Sequence, residues 1–250
     1  MPAPNPVAFT AFGIEIMWYG IIIAAAMVIA VVIVYRRAPV HNIPSEKTLD
    51  FVLVCIPAGI IGSRLYYVVF NWEYYAGDIY KTINIRSGGL AIHGGLIFGL
   101  LAAVLLCILW NIKPLNLLDL AAPAIAIAQS IGRWGNYFNE EAHGGPTDLP
   151  WAMSIDGQMV HPTFLYESIW CFLLFIILIF VDNNRKFEGQ TFFLYGILYS
   201  FERFFVEELR TDSLMLGPFK QAQLLSATVF IVFIIVYIML RRKNRNRLFY

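Results

Sequence analysis

Residues 163–181, TFLYESIWCFLLFIILIFV, decide the class of fold, because they form a long apolar run with one charged residue, Glu167. A helix needs about 20 mainly apolar residues to cross the hydrocarbon core of a bilayer. The whole chain has the same character, since 59% of its 250 residues are hydrophobic and 14% are charged. A typical soluble domain is about half apolar and a quarter charged. The sequence therefore predicts an integral membrane protein.

Similar apolar runs recur along the chain, and each predicts a transmembrane helix. A shorter run that contains Pro123 lies between two of them, and we expect it to cross as well. The seven predicted spans are residues 14–35, 49–70, 90–110, 115–131, 163–181, 191–206 and 222–240. The predicted fold is all-α, a polytopic seven-span bundle in a single domain, residues 1–250. Turn signals around the apolar stretch 149–155 predict a hairpin within a small external cap, residues 132–162.

Basic residues predict the orientation. If the first span runs inward, eleven Lys and Arg residues fall on one face and five on the other. The larger set is Arg36, Arg37, Lys47, Lys113, Arg185, Lys186, Arg241, Arg242, Lys243, Arg245 and Arg247, and the smaller is Lys81, Arg86, Arg133, Arg210 and Lys220. Cytoplasmic loops carry the excess of positive charge, so the N-terminus is predicted outside and the C-terminus in the cytoplasm. The net charge of +1 argues against a nucleic-acid partner.

Polar residues concentrate near the outer ends of the predicted spans. A helical rise of about 1.5 Å per residue places side chains from six spans at a similar depth. They are Tyr19, Arg64, His93, Arg133, Glu167, Tyr199, Arg203 and Glu207. An ionisable residue inside a membrane is by default a functional-site hypothesis. Guanidinium groups suit a phosphate or carboxylate, and a histidine suits proton transfer at neutral pH.

Each of these residues also has a structural interpretation. Arg203 and Glu207 could form only a structural ion pair, and Arg64 could reach the headgroups or pair with Glu15. The glycines after His93 could serve helix packing. Glycine is costly in a helix and is chosen where a backbone or a ligand must come close, so we expect such a close approach beside His93. The residues alone predict binding of an anionic lipid or anionic solute, with proton transfer, and leave the reaction open. They show no metal-binding motif.

Six separated motifs resemble those of the prolipoprotein diacylglyceryl transferase family. The longest comprises Gly132, Arg133, Gly135, Asn136, Tyr137, Asn139, Glu141 and Gly144, with tyrosine in place of the family's phenylalanine. The others are Trp18-Tyr19-Gly20; Gly62, Arg64 and Tyr67; His93-Gly94-Gly95; His161, Pro162, Tyr166 and Glu167; and Tyr199, Arg203, Glu207, Arg210 and Asp212. The last has one residue fewer than the family pattern before its aspartate.

The resemblance implies a multi-pass enzyme of the bacterial cell membrane. Such enzymes transfer the diacylglyceryl group of phosphatidylglycerol, a membrane lipid, to the lipobox cysteine in a prolipoprotein signal peptide. This first step of lipoprotein maturation forms a thioether and releases glycerol phosphate, with neither a cofactor nor a metal. We expect His93, Arg133 and Arg203 to be catalytic, with His93 as base and the arginines on the phosphate. The expected substrate-binding residues are Arg133, Asn136, Asn139, Glu141, Gly144, Tyr19, Tyr199, Arg64 and Glu207.

A seven-helix transporter or channel for an anionic solute is the alternative function. It would explain the arginines and the histidine, but it predicts ionisable residues along a path through both leaflets. The inner half of the predicted bundle offers little beyond Asp119. An intramembrane protease would need an inward-facing serine or a pair of aspartates, and the sequence shows no evident pair.

Overall fold

Helices make up most of the structure, a computed structural model that describes residues 5–85 and 88–247, with side chains to residue 246. Arg86, which contributes to the predicted charge asymmetry, lies outside the described residues, as does the side chain of Arg247. In chain order the elements are β1 Val7–Ala11, β2 Ile14–Met17, α1 Trp18–Arg37, α2 Ser45–Phe70, α3 Trp72–Tyr75, α4 Ile79–Ile83, α5 Ile92–Leu109, α6 Pro114–Phe138, β3 Met153–Ile155, β4 Gln158–Val160, α7 Thr163–Asn183, α8 Gln190–Leu209, β5 Met215–Leu216, β6 Phe219–Lys220 and α9 Gln221–Arg247.

Six helical segments among the described residues are long and apolar enough to cross a membrane. They are Trp18–His41, Ser45–Phe70, Ile92–Leu109, Pro114–Phe138, Thr163–Asn183 and Gln221–Asn246. The prediction of an all-α, polytopic helical bundle is confirmed. The remaining predicted span lies in α8, which has 20 residues but includes Glu202, Arg203, Glu207 and Glu208. Seven crossings therefore stay a prediction.

Two predicted boundaries are wrong, each for a local reason. Residues 14–17 form β2, not the start of a span, because Phe12 and Gly13 have positive φ angles of 53° and 76° and turn the chain back onto β1. Residues 132–138 form the end of α6, not part of a loop. At Gly135 an added Cβ would collide with the ring of Tyr19, so this glycine allows α1 to pack closely against α6.

The chain divides into two compact units, one from Met1–Val34 and Leu118–Tyr250 and the other from Tyr35–Leu117. A single domain therefore stays a prediction. In the second unit, α2 packs along α5 through glycines. A Cβ on Gly94 would meet the carbonyl of Gly62 and the Cβ of Tyr66, and a Cβ on Gly62 would meet Phe98. Small residues of this kind let two helix backbones approach closely in a membrane.

In the first unit, α6, α7 and α8 pack around an aliphatic core. Ala122 and Ala126 of α6 contact Leu174 and Leu178 of α7, and all four are at most 2% exposed. At one end of this core, the carboxylate of Asp119 accepts hydrogen bonds from the backbone N–H groups of residues 189 and 192, at 2.7 and 2.9 Å. A carboxylate satisfies the free N–H groups at a helix N-terminus, so Asp119 fixes where α8 begins.

Residues 139–162, named here the cap segment, connect α6 to α7 and contain the predicted hairpin. Strands β3 and β4 pair antiparallel across Asp156 and Gly157, whose φ angles of 49° and 80° suit a two-residue turn. The backbone N–H of Gly144 donates to the carbonyl of His161, and that of Gly145 to the carbonyl of Leu209, both at 2.9 Å. The cap segment is thereby attached to the C-terminal end of α8.

Candidate functional site

Three helices of the first unit bring four charged side chains together. One carboxylate oxygen of Glu167, on α7, lies 2.8 Å from a guanidinium nitrogen of Arg133, on α6. The same oxygen lies 2.8 Å from Arg203, on α8, and Arg203 lies 2.6 Å from Glu207 one helical turn further on. These four residues are named here the arginine–glutamate cluster.

The cluster has buried carboxylates and partly buried guanidinium groups, and it is electrically balanced. The side chains of Glu167 and Glu207 are 1% and 3% exposed, and those of Arg133 and Arg203 are 20% and 17% exposed. Two guanidinium groups face two carboxylates, and a buried carboxylate is tolerated when paired in this way. Because one oxygen of Glu167 serves both arginines, it holds the two guanidinium groups beside each other. The sequence predicted Glu167 in the same layer as Arg133 and Arg203, and the structure brings the three together, but the sequence assigned it no catalytic or binding role.

Tyr199, Arg203 and Glu207 recur every fourth residue along α8, and the first of them contributes a tyrosine to the same place. The hydroxyl of Tyr199 lies 3.5 Å from a guanidinium nitrogen of Arg133. Its ring stacks on that of Tyr195 with centroids 5.7 Å apart, and the hydroxyl of Tyr195 donates to the side-chain oxygen of Gln129 at 2.9 Å. Tyr199, Arg203 and Glu207 thus face α6 and α7 from one side of α8, as their spacing predicts.

The end of α6 carries a second polar group. The side-chain amides of Asn136 and Asn139 both donate to one carboxylate oxygen of Glu141, at 3.0 and 3.3 Å. Asn139 and Glu141 are exposed, so a ligand could reach the amides and the carboxylate directly. The motif residues 136, 139 and 141 therefore form one hydrogen-bonded set.

Tyr19 and Gly144 have packing roles in the structure. The ring of Tyr19 lies against Gly135, and the neighbouring Trp18 stacks on Phe138 with ring centroids 5.4 Å apart. A Cβ on Gly144 would come within 2.7 Å of the Cβ of His161 and 3.0 Å of the carbonyl of Leu209. Only glycine therefore allows the cap segment to lie this close to the end of α8.

Charged residues that follow α8 in the chain make hydrogen bonds at its C-terminal end. The guanidinium of Arg210 makes two hydrogen bonds to the carboxylate of Asp212, at 2.9 and 2.7 Å. These hydrogen bonds lower the pKa of Asp212 from its ordinary value. The ammonium of Lys220 donates to the backbone carbonyls of residues 207, 208 and 210, at 2.8 to 3.0 Å. At this end of a helix the last carbonyls have no N–H group four residues further along the helix to pair with.

Arg64, in the second unit, is buried at 6% exposure and donates to four backbone carbonyls. Its guanidinium also lies 4.9 Å from the ring centre of Tyr75. Through these contacts it joins α2 to the end of α4 and to the residues just before α5. The carbonyls that accept from it, at 2.5 to 2.9 Å, are those of Lys81, Thr82, Gly88 and Gly89.

His93 is the second residue of α5 and is exposed, with its ring 6.1 Å from the ring of Tyr66. At Gly94 the expected close approach is made by the backbone of α2, since a Cβ there would meet the carbonyl of Gly62. No group of three or more His, Cys, Asp or Glu residues in the described part of the chain could hold a metal ion.

The fold and the cluster define a polytopic helical membrane protein with a pair of partly buried arginines held by a shared, buried carboxylate. Residues 6–239 match the family described as prolipoprotein diacylglyceryl transferase, and the chain belongs to this family. Its relatives include phosphatidylglycerol–prolipoprotein diacylglyceryl transferases from three organisms. That of Clostridioides difficile is 50% identical over 242 residues, covering 97% of this chain and 98% of the relative. That of Finegoldia magna is 48% identical over 238 residues (95% and 96%), and that of Clostridium novyi 45% over 252 residues (97% and 98%).

Proposed function

We propose that this chain transfers the diacylglyceryl group of phosphatidylglycerol to the thiol of a prolipoprotein's lipobox cysteine. The observation that carries this proposal is the partly buried arginine pair held by the buried Glu167, in a chain whose relatives are named for these two substrates. A transporter of anionic solutes is not favoured, because the relatives are transferases.

The reaction replaces a carbon–oxygen bond with a carbon–sulfur bond. The thiolate attacks the glycerol carbon, the phosphate leaves with the electron pair of the C–O bond as glycerol phosphate, and the thiol proton goes to a base. Charge on the leaving phosphate grows from one to two units as the bond breaks. Arg133 and Arg203 are placed to hold that phosphate, and their attraction strengthens as the charge develops, which accelerates the step.

The arginine–glutamate cluster has no net charge, so a bound phosphate must share the two guanidinium groups with Glu167. A phosphate that approaches Arg133 and Arg203 competes with Glu167 for the same guanidinium N–H groups. Each guanidinium has five donors, so Glu167 can keep one contact while the phosphate takes others. Glu207 keeps Arg203 turned toward the site through their contact of 2.6 Å.

His93 is the proposed base for the thiol. A free cysteine has a pKa near 8.5, so only a few per cent is thiolate at neutral pH, and a base raises that fraction. This role rests on the chemistry of imidazole, on the exposure of the ring and on the family motif.

The remaining motif residues have supporting roles in this proposal. Asn136, Asn139 and Glu141 bind the glycerol headgroup through their exposed polar groups, and Tyr199 lines the phosphate site beside Arg133. Tyr19 and Gly144 act through packing on α6 and on the cap segment. Arg64 acts by holding the end of α4 and the residues before α5, since its hydrogen bonds go to the carbonyls of residues 81, 82, 88 and 89.

The proposed topology has seven crossings of the bacterial cell membrane, with the N-terminus outside and the C-terminus in the cytoplasm. Helix α8 crosses despite its charges because Arg203 is paired with Glu167 and Glu207 inside the bundle. The cap segment then lies outside, where it admits the prolipoprotein. Cysteines placed along the termini and the cap segment, labelled from either side of closed vesicles, would test this orientation.

Transfer to a lipobox peptide tests the function. The chain is reconstituted with phosphatidylglycerol, and the thioether product is measured by mass spectrometry. Lysine at position 133 or 203 keeps the positive charge but lacks the planar guanidinium group that can donate two hydrogen bonds to one phosphate. We therefore expect Arg133→Lys and Arg203→Lys each to slow turnover about tenfold or more. Arg36→Lys, an exposed change near the end of α1, is the matched control. Parental rates for both site variants would contradict the proposed phosphate site.

A further inference from the structure

Glu202 precedes Arg203 on α8, and none of the contacts described above uses its carboxyl group. The residue is 7% exposed, and neither carboxyl oxygen has a hydrogen-bond partner among the residues that the structure describes. Buried polar groups in proteins are almost always hydrogen-bonded. A buried carboxyl group without a partner therefore requires a physical reason.

The charged and titratable groups around Glu202 come from three helices. Arg133 of α6, Glu167 of α7 and the adjacent Arg203 act on it electrostatically, and it acts in turn on the thiol of Cys171, on α7. Helix α9 also packs against α8, but it carries no Asp, Glu, Lys, Arg or His between residues 221 and 240. Glu202 therefore lies within electrostatic reach of Glu167, Arg133 and Arg203 of the arginine–glutamate cluster, and α9 adds no charged residue opposite α8.

The cluster is already balanced without Glu202. Its two guanidinium groups face the carboxylates of Glu167 and Glu207, which gives a net charge of zero. An ionised Glu202 would add an uncompensated negative charge in a buried place, with no hydrogen bond to offset its lost hydration. A protonated, neutral carboxyl group avoids that cost.

We infer that Glu202 carries a proton in the lipid-free protein, and that this proton keeps the arginine–glutamate cluster neutral so that it accepts the phosphate of an anionic lipid. Glu202 is thus a positioning residue that acts through the charge of the cluster. The role in lipid binding rests on the proposed function. Ionisation of Glu202 would give the cluster a net charge of minus one and repel the phosphate, so lipid affinity falls as the pH rises.

The protonation itself is measured without any lipid ligand. Infrared spectra of the purified chain in detergent at pH 7 are compared with those of Glu202→Gln and Glu202→Met. Exposed glutamates, with ordinary pKa values near 4.3, are ionised at this pH. We expect both variants to lose the same carbonyl band of a protonated carboxyl group, which then disappears from the parent spectrum at alkaline pH. Glu208→Gln, an exposed change on the same helix, is the control and keeps the band.

The methionine variant separates protonation from folding. A neutral glutamic acid resembles methionine in volume, so we expect Glu202→Met to fold and to unfold at the parental temperature or above. If neither variant loses a protonated-carboxyl band, Glu202 is ionised and the inference is overturned.

The link to lipid charge is measured with fluorescent phosphatidylglycerol in neutral detergent at increasing pH. We expect the affinity of the parent to fall roughly tenfold or more as the carboxyl band disappears, the scale of one added charge at an effective dielectric constant near 20. In Glu202→Gln the affinity should no longer change over this pH range. Constant parental affinity while the band disappears would refute the charge link and leave the proposed function intact. No phosphatidylglycerol binding at any pH would contradict the proposed function, and the infrared band would still decide whether Glu202 is protonated.

Discussion

Replacing Glu167 by glutamine tests whether one carboxylate holds the arginine pair together. The change keeps the size of the side chain but removes the charge that lies 2.8 Å from both Arg133 and Arg203. Removing one partner of a buried ion pair costs about 3–5 kcal/mol, because the remaining charge stays buried without compensation. The glutamine oxygen can still accept one hydrogen bond, so we expect a loss near the lower end, about 3 kcal/mol.

The stability arm of this test uses denaturant unfolding in detergent micelles. The double variant Glu167→Gln/Arg203→Met should lose less than the sum of the two single changes, because residues in one ion-pair network are coupled. Glu208→Gln is the matched control, since Glu208 is exposed and its carboxylate bonds only the side chain of Gln223 among the contacts described, at 2.8 Å. Additive losses would show that Glu167 does not bridge the arginines.

The same substitution, Glu167→Gln, is also expected to affect lipid binding and turnover in different directions. Without Glu167 the cluster gains a net positive charge, so phosphatidylglycerol should bind at least as tightly as to the parent. Turnover should fall about tenfold or more, because the guanidinium groups are no longer held in place for the leaving phosphate. Parental turnover together with parental stability would refute the role given to Glu167.

Three further predictions concern other parts of the chain. His93→Gln should remove the rise in transfer rate over the pH range in which imidazole loses its proton, while phosphatidylglycerol affinity stays near the parental value; an unchanged pH–rate profile would show that His93 is not the base. Gly94→Ala should lower stability by about 1–3 kcal/mol, because its Cβ would meet the backbone of α2; Gly99→Ala is the control in thermal unfolding, since its Cβ would meet only one atom, at an ordinary 3.7 Å. The ionised carboxylate of Asp212 stabilises the end of α8 at pH values above the ordinary pKa of an aspartate. This stabilisation is lost as the pH falls through the lowered pKa that Asp212 has in the folded protein. Amide exchange at that helix end should therefore accelerate in acid in the parent but change less in Asp212→Asn.

Part of the candidate site could be predicted before any contact was known. The motifs and the depth of Arg133, Arg203 and Glu207 follow from position along a helix, which sequence gives directly. The role of Arg64 could not be predicted, because its partners are backbone carbonyls of α4 and of the residues before α5. Every residue has a backbone carbonyl, so the sequence does not show which ones will accept a hydrogen bond. The burial of Glu202 beside the cluster was missed for a related reason, since four charged residues in one helix look like an exposed surface.

The sequence by itself determined the apolar helices, because a bilayer accepts only segments that are long and apolar enough and composition records both properties. Only the tertiary structure decided which charges pair. One oxygen of Glu167 serves arginines from two other helices, 34 and 36 residues away along the chain. It also decided that Gly94 and Gly135 serve close packing. A glycine in a sequence is compatible with open space for a ligand and with a close contact between helices, and only the position of the neighbouring helix distinguishes the two. Charge pairing and close packing depend on distances between helices, and a linear sequence does not contain those distances.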